Sequence, residues 1–393
     1  MVTTIEIFGK DTDKIKAKIQ AIENSLIPIS IENNQLSPKW TETANLEEKM
    51  KAYNVPGLSI AYINNFKVEW TKSYGIRDAR TKDKVSIKTL FESGSAAKSF
   101  TALAVLLTVL ENRINLDEDI NNRLKTWKLP ENEFTKETKV SLKHLLSHTA
   151  GINRPDSMFI SEQDSTPSID QILNGEKPAL NDPAKVEFVP GSNHQYSNLG
   201  YIIIEKLLTD IYGKSFAEIM KEIVLEPLSM VDSTFEYPIG ELKDRTIVPH
   251  DQNGEAKETG LIHGAAGHCG LLTTPVDLSK FIIALMNAYN GIESVIPKEI
   301  ANLMLTAALP LDPAKFFGFT GQGLGMFLLE KNDNLFFTHP GTNMPGAVCF
   351  MAGSPTTGQG LVIMSNGIQA ELLHLEILYG VAKLFNWPFW KQE

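Results

Sequence analysis

The chain has 393 residues, of which 42% are hydrophobic and 21% are charged, as expected of a folded protein with a large apolar core. With 37 Lys and Arg against 47 Asp and Glu, the formal net charge of −10 argues against binding along nucleic-acid phosphates or an anionic membrane surface. The only two cysteines, Cys269 and Cys349, exclude a disulfide framework and are expected to be small buried side chains. We therefore expect small-molecule or peptide partners, no cofactor and no metal.

Residues 1–44 are interpreted as an N-terminal extension. Ile15, Ile19, Ile22 and Leu26 recur at helical spacing among charged residues, which predicts one amphipathic helix suited to packing or to a partner contact, such as a homo-oligomer. No apolar stretch of signal-peptide length opens the chain, and none approaches the roughly 20 residues of a membrane-spanning helix. The chain as given is expected to be cytoplasmic, or periplasmic or secreted if a leader has been removed.

The remaining chain shows strand patterns at both ends and helical patterns between them. Apolar runs at Leu58–Ile63 and Phe66–Tyr74, joined by an Asn-Asn turn, predict a hairpin. Helical spacing dominates from Ala96 to about His263, strand patterns return between 323 and 365, and a final helix is predicted near 370–385. One sheet assembled from distant segments, with a helical insertion, predicts an α+β fold.

Ser95 and Lys98 form the only Ser-x-x-Lys in the chain, directly before the apolar stretch Phe100–Leu110. If a helix begins at Ser95, side chains three apart share one face, with Cβ atoms about 5–6 Å apart, so the amine can reach the hydroxyl. A serine becomes nucleophilic when a base takes its proton, and burial or a helix N-terminus disfavours the lysine cation and makes it that base. The alternative is a helix-capping serine with an exposed lysine, but the apolar helix offers Lys98 few exposed positions.

Two further polar groups are candidates for the same site. Tyr196 and Asn198 stand two apart before an apolar helix, where a phenol could relay a proton and an amide could orient substrate. Near the C-terminus, His339-Pro-Gly341 lies between two strand patterns, and a glycine at a strand edge can offer a backbone N–H to an oxyanion.

These elements, in this order, resemble the serine β-lactamase and penicillin-binding-protein-like superfamily. The closest similarity is to the branch of class C β-lactamases, DD-peptidases and family VIII esterases, and it covers roughly residues 46–386. The matching motifs are Phe-Glu-x-Gly-Ser95-x-x-Lys98, His144 to Gly151, Pro190-Gly191 before Tyr196-Ser-Asn198, Gly270 to Leu278, and His339-Pro-Gly341.

The resemblance implies a role for each matching residue. Ser95 would be the acylated nucleophile, Lys98 its base partner, and Tyr196 the general base and acid of acylation and deacylation. Asn198 would orient the substrate, and the backbone N–H groups of Ser95 and Thr342 would form the oxyanion hole.

The resemblance also implies two lobes with a cleft between them. Residues 45–393 would form a single catalytic domain. The α/β lobe, with a central antiparallel sheet, would comprise about residues 45–95 and 267–393, and the helical lobe about residues 96–266.

One departure bears on the substrate. Most β-lactamases of this superfamily have Lys-Thr-Gly where this chain has His339-Pro-Gly341. A histidine, with a reference pKa of about 6.5, is mostly neutral at pH 7.5 and attracts a carboxylate weakly. We therefore expect a serine hydrolase that prefers small acyl esters or short acyl peptides.

Other functions remain open at this point. The same machinery would serve a β-lactamase or a D-amino-acid-specific peptidase of the DD-carboxypeptidase or D-aminopeptidase type, acting on an amide or β-lactam. A transacylase is a further alternative. A penicillin-binding or structural homologue without turnover is disfavoured, because it would leave a buried Lys98 without a role.

Four other histidines receive structural interpretations. His144 and His148 stand four apart like a metal pair, but the zinc-protease glutamate is missing between them, so capping or core hydrogen bonds are expected. His263 and His268 belong to a stretch interpreted as a structural loop, with an approach to the cleft as the alternative.

Overall fold

A computed structural model describes residues 3–32, 35–154, 166–237, 239–258 and 264–390. Fifteen strands are present within these ranges: β1 (Thr3–Ile7), β2 (Ile29–Glu32), β3 (Gln35–Pro38), β4 (Gly57–Asn64), β5 (Lys67–Asp78), β6 (Asp83–Lys84), β7 (Phe91–Glu92), β8 (Leu272–Thr273), β9 (Leu309–Pro310), β10 (Gly321–Gln322), β11 (Phe327–Lys331), β12 (Asn334–Thr338), β13 (Gly341–Asn343), β14 (Ala347–Ser354) and β15 (Gln359–Ser365).

Ten α-helices accompany these strands in the described residues: α1 (Thr12–Glu23), α2 (Leu46–Ala52), α3 (Ala97–Leu110), α4 (Leu142–Leu146), α5 (Ile169–Asn174), α6 (Asn198–Tyr212), α7 (Phe216–Met220), α8 (Pro275–Tyr289), α9 (Lys298–Leu305) and α10 (Ala370–Leu384). None of them combines the length and apolar character that a bilayer crossing requires.

The main sheet joins the two ends of the chain. Its strand order is β1-β5-β4-β15-β14-β12-β11-β10-β9, with β13 beside β14 and β6 beside β5, and all of these pairs are antiparallel. The predicted hairpin is β4–β5, and β4 pairs with β15 so that Leu58 lies opposite Ser365. Helices α3–α7 are inserted between β7 and β8. The α+β prediction is therefore confirmed.

Both faces of the sheet are covered, and side chains of the central strands alternate between the two apolar cores. On β15, Leu361 and Ile363 point into the core beneath α1, α2 and α10, whereas Val362 and Met364 point into the core shared with α8 and the helical insertion. Successive side chains of a strand point to opposite faces, so each apolar residue is buried on one side or the other. We call the face toward α10 the outer face.

The N-terminal segment packs onto this outer face. The predicted amphipathic helix is α1, capped by the Asp11 carboxylate, and it buries Ile15, Ile19 and Ile22 in the core that contains α10. Strand β1, which the sequence pattern did not indicate, pairs along β5. The placement of a boundary at residue 44 remains a prediction.

A buried carboxylate on α10 joins that helix to β2 and to the end of α2. The side chain of Glu376 is fully buried and accepts hydrogen bonds from Lys49 Nζ at 2.8 Å, from Tyr53 Oη at 2.9 Å and from the Ile29 backbone N–H at 3.1 Å. Removal of a buried carboxylate that accepts several hydrogen bonds leaves its donors without an acceptor, which is unfavourable.

Glu376→Ala is therefore expected to lower the free energy of unfolding by roughly 3 kcal/mol, because the Lys49 ammonium and the Ile29 N–H lose their acceptor. Urea denaturation followed by circular dichroism measures the change. The matched control is Glu293→Ala at an exposed turn, which should stay within about 0.5 kcal/mol of wild type. Equal stabilities of the two variants would contradict the structural role of Glu376.

Candidate active site

Ser95 lies in a sharp turn at the start of α3. Gly94–Ala96 form a single 3₁₀ turn, and the α-helix begins two residues after Ser95, at Ala97. The condition for the predicted contact, a helix that begins at Ser95, is thus replaced by a 3₁₀ turn that leads into the helix. Gly94 permits this turn, because its φ of 52° lies in the left-handed region that favours glycine. Ser95 is half-buried, and its hydroxyl faces a cleft.

Lys98 is fully buried beneath Ser95. Its Nζ lies 3.1 Å from Ser95 Oγ and donates to the carbonyl oxygen of His268 at 2.7 Å. Burial, with a smaller contribution from the positive charge of Arg154, lowers the pKa of Lys98 from 10.5 to about 7. A large fraction of this amine is thus neutral near pH 7 and can accept a proton.

Two other side chains hold the backbone of Gly267, the residue before His268. Thr101 Oγ1 donates to the oxygen of Gly267 at 2.7 Å, and the N–H of Gly267 donates to Glu205 Oε2 at 2.6 Å. Glu205 is buried on α6, and burial raises its pKa to about 7. His268 was interpreted as part of a structural loop, with an approach to the cleft as the alternative, and its backbone oxygen does reach Lys98. His263 lies outside the described residues.

Tyr196 lies beside both groups, just before α6. Its ring centroid is 5.1 Å from Lys98 Nζ. Burial among the surrounding atoms raises the pKa of Tyr196 well above 10, although the nearby Ser95 hydroxyl opposes this rise. At neutral pH the phenol is therefore protonated and acts as a proton donor, which leaves Lys98 as the more suitable base for Ser95.

The two histidines with metal-like spacing are used structurally, as predicted. His144 Nδ1 accepts from the N–H of Ser141 at 3.2 Å and completes the cap of α4. His148 Nδ1 accepts from the N–H of Ser197 at 3.3 Å, and its ring lies 4.2 Å from that of Tyr196. Burial lowers the pKa of His148 well below 6.5, so a neutral ring supports the tyrosine. The described residues contain no group of three or more His, Cys, Asp or Glu that could hold a metal ion.

Asn198 is the first residue of α6, two positions after Tyr196. Its side-chain oxygen is buried and finds no hydrogen-bond partner among the described residues. The structure thus brings Ser95, Lys98 and Tyr196 together. The amide oxygen of Asn198, two residues after Tyr196, is an acceptor without a partner among the described residues.

Strand β13 runs against the Ser95 turn. A methyl group on Gly341 would lie 2.7 Å from the backbone nitrogen of Ser95, and one on Gly94 would lie 2.6 Å from the backbone nitrogen of Thr342. Only glycine permits so close an approach of two backbones. The two N–H groups predicted to form an oxyanion hole therefore belong to segments in direct contact. The Thr342 hydroxyl donates to Glu371 Oε1 at 2.6 Å.

His339 stands at the end of β12, in the cleft. It is buried, its Nδ1 lies 3.0 Å from the oxygen of Pro340, and its ring centroid is 6.2 Å from that of Tyr196. Burial lowers the pKa of His339 to about 3, and the charge of Lys98 contributes in the same direction. The histidine is therefore neutral across the whole physiological pH range.

The cleft has a volume of about 650 Å³ and is lined mainly by apolar and aromatic side chains. Phe327 stacks over Tyr196 with centroids 6.4 Å apart, and Phe319 stacks over Phe327 at 5.3 Å, so an aromatic wall extends outward from Tyr196. Two cations, Arg154 and Lys315, also line the cleft. Arg154 was not among the site residues predicted from the sequence.

Comparisons with known proteins agree with this arrangement. A model of the family "Beta-lactamase" matches residues 43–376. Protein flp of Staphylococcus aureus (strain MRSA252) is 26% identical over 325 residues. The match covers 82% of this chain but only 61% of the length of that relative. Unguisins hydrolase ungD' of Aspergillus campestris is 26% identical over 201 residues, which are 48% of this chain and 35% of that protein.

Solved structures show the same fold. The octameric penicillin-binding protein homologue from Pyrococcus abyssi is similar with a TM-score of 0.70 and 25% identity, over 87% of this chain and 77% of that one. The crystal structure of SurE gives a TM-score of 0.69 at 22% identity, over 88% of this chain and 76% of that chain. With the family match covering most of the residues, the chain belongs to the Beta-lactamase family.

Proposed function

We propose that this protein is a hydrolase that acts through an acyl-Ser95 intermediate and prefers small acyl esters or short acyl peptides. The observation that carries the proposal is the 3.1 Å contact between Ser95 Oγ and the buried Nζ of Lys98. An amine with a pKa near 7 at this distance is suited to take the serine proton at neutral pH.

In the proposed acylation, neutral Lys98 takes the proton of Ser95 as Oγ bonds to the acyl carbon. The carbonyl oxygen becomes an oxyanion, which the N–H groups of Ser95 and Thr342 stabilise. As the bond to the leaving oxygen breaks, the Tyr196 phenol gives that oxygen its proton, and the Lys98 ammonium beside the ring restores the phenol. Both residues then return to their initial protonation states.

Deacylation follows the same proton path in reverse. Water attacks the acyl carbon of acyl-Ser95 and gives a proton to the Tyr196–Lys98 pair. The same proton then returns to Ser95 Oγ as the carboxylic acid leaves. No other reactant is needed for this cycle.

The preference for neutral substrates rests on His339. A lysine at this position would present a permanent charge to a substrate carboxylate, whereas the buried imidazole stays neutral. The aromatic wall from Tyr196 to Phe319 adds apolar contact area. Both features favour an uncharged ester over a penicillin.

A second candidate function is supported by the cations of the cleft. The Arg154 guanidinium lies 6.0 Å from the Tyr196 ring centroid, and Lys315 also faces the cleft. Arginine binds carboxylates in a bidentate manner, so Arg154 could take over the charge role that His339 lacks. This observation favours a β-lactamase or a D-amino-acid-specific peptidase, and the hydrolase named among the relatives is compatible with either candidate.

A homo-oligomer remains part of the proposal, and the octameric neighbour supports it. The apolar face of α1 is already packed against α10, so an oligomer contact would use another surface of the N-terminal segment. The outer edge of β1 is one such surface, with Ile5 42% exposed on the strand and Phe8, directly after it, 49% exposed.

A fluorophosphonate probe tests the nucleophile directly. Wild type is expected to gain the mass of one adduct, because the activated Ser95 attacks phosphorus, whereas Ser95→Ala should gain none. Intact-mass spectrometry measures the adduct, with the exposed Ser192→Ala as the matched control. No adduct on wild type, or an equal adduct on Ser95→Ala, would remove the proposed role of Ser95.

The pKa of Lys98 sets the expected pH dependence. The neutral amine is the base, so kcat/KM for p-nitrophenyl butyrate should rise with pH up to about 7 and level off above it. Lys98→Arg should lower kcat/KM at pH 7.5 by roughly 100-fold or more, because the guanidinium stays protonated. The control is Lys143→Arg at an exposed position of α4. A flat profile between pH 5 and 8 would refute Lys98 as the base.

The two candidate substrates predict opposite preferences. We expect a higher kcat/KM for p-nitrophenyl butyrate than for nitrocefin, because His339 is neutral and nitrocefin carries a carboxylate. If carboxylates are recognised, Arg154→Ala should lower the nitrocefin-to-ester ratio of kcat/KM about tenfold, whereas Arg113→Ala outside the cleft should not. Faster turnover of nitrocefin by wild type would decide in favour of the second candidate.

A further inference from the structure

We propose that Asn343 is a positioning residue of the oxyanion hole, because its buried amide joins strand β13 to the segments that hold Ser95 and Lys98. Strand β13 carries Thr342, one of the two proposed oxyanion donors. The inference rests on the proposed acyl-Ser95 function and adds a residue to it. Neither Asn343 nor its acceptor Glu92 lines the cleft, so the role is exerted on the backbone and not on the substrate.

The amide of Asn343 lies between two segments of the site. Asn343 is 8% exposed, and its Nδ2 donates to Glu92 Oε2 at 3.2 Å and to the carbonyl oxygen of Cys269 at 3.4 Å. An amide nitrogen carries two hydrogens, so both bonds can be made at once. Glu92 lies three residues before Ser95. Cys269 directly follows the residue whose carbonyl oxygen receives Lys98.

The alternation of β13 directs this amide toward the Ser95 turn. Successive side chains of a strand point to opposite faces, and the Thr342 hydroxyl donates to Glu371 on α10. Gly341 and Asn343 therefore face the other side, where a methyl group on Gly341 would lie 2.7 Å from the backbone nitrogen of Ser95. Strand β13 has three residues and pairs with β14. Within the described residues, its hydrogen bonds toward the Ser95 side are those of the Asn343 amide.

The acceptor Glu92 has no other described hydrogen bond. Its side chain is 1% exposed, and its Oε1 finds no partner among the described residues. Burial raises the pKa of Glu92 to about 8, although the hydrogen bond from Asn343 opposes this rise. Near pH 7 the carboxyl group is therefore mostly neutral, so it accepts from Asn343 without adding a buried negative charge to the site.

The amide link sets where the two oxyanion donors stand relative to each other. The N–H of Ser95 belongs to the turn before α3 and that of Thr342 to β13, two segments far apart in the chain. An oxyanion is stabilised when its donors lie about 2.7–3.1 Å from the same oxygen. Because the oxyanion forms only during the reaction, a shift of β13 weakens the transition state and leaves binding of the neutral substrate unchanged.

Asn343→Leu tests this role, since leucine has nearly the same shape and no donor. We expect kcat/KM for p-nitrophenyl butyrate to fall roughly tenfold, less than after deletion of an oxyanion donor. Butyl trifluoromethyl ketone forms an oxyanion when Ser95 Oγ bonds to its carbonyl carbon and Lys98 takes the serine proton, and its affinity should fall by the same factor. The inhibition constant of butyramide, which stays neutral, should change less than about twofold.

The matched control is Asn181→Leu in the helical insertion. Asn181 is 3% exposed, and its Nδ2 also donates to two carbonyl oxygens, those of Ile172 and Asp182, each at 2.8 Å. This variant should keep all three wild-type constants. An unchanged kcat/KM in Asn343→Leu, or an equal loss of ketone and butyramide binding, would overturn the positioning role.

Substitutions of Glu92 test the other end of the bond and remain available if Asn343→Leu does not fold. Glu92→Gln keeps an acceptor and should stay within about threefold of wild type in kcat/KM, whereas Glu92→Met removes it and should lose roughly tenfold. The double variant of Glu92→Met with Asn343→Leu should lose no more than about tenfold, because both substitutions break the same bond. Equal losses in Glu92→Gln and Glu92→Met would overturn Glu92 as the acceptor.

Hydrogen–deuterium exchange separates this inference from the proposed function, since it requires no turnover. In Asn343→Leu, peptides that cover residues 91–96 and 341–347 should both exchange faster than in wild type, because the link between them is lost. Asn181→Leu should leave both peptides unchanged. Faster exchange in both peptides supports the link even if no ester is hydrolysed, and unchanged exchange overturns it even if esters are hydrolysed.

Discussion

The burial of a lysine amine is the constraint on which the site depends. An ammonium in apolar surroundings is unfavourable, and the protein lowers this cost by letting Lys98 lose its proton near pH 7 rather than by pairing it with a carboxylate. The groups around it are neutral or aligned dipoles: the hydroxyl of Ser95, the carbonyl of His268, and the rings of Tyr196 and Tyr201. A nearby carboxylate would restore the cation and remove the base. The absence of an ion pair at Lys98 within the described contacts is thus as necessary as its burial.

Local signals were sufficient for much of the fold and for the centre of the site. The Ser95–Lys98 spacing lies within one helical turn, and the β4–β5 hairpin lies between runs of alternating residues, so each could be predicted from neighbouring positions. Strand β1 could not, because it has only five residues, is mostly exposed in the folded protein, and depends for its position on pairing with β5.

The unpredicted parts of the site are long-range or belong to the backbone. The acceptor of Lys98 is a carbonyl oxygen, which every residue carries, so no letter of the sequence marks His268 for this purpose. Glu205 and Arg154 approach the site only through folding of distant segments, although a glutamate among the apolar residues of α6 was a readable signal. The neutrality of His339 was expected from its reference pKa, and burial extends it to much lower pH.

The pairing of β4 with β15 has a consequence for the newly made chain. Leu58 and Ser365 are neighbours in the sheet, and β13, which carries Thr342, is held by β14 next to β15. During synthesis, Ser95 and Lys98 emerge long before the strands that support the oxyanion site. Contacts between distant parts of a chain form late because loop closure is entropically costly. A nascent or truncated chain therefore carries the nucleophile without an assembled cleft, and reactivity toward esters arises only once the C-terminal strands have joined the sheet.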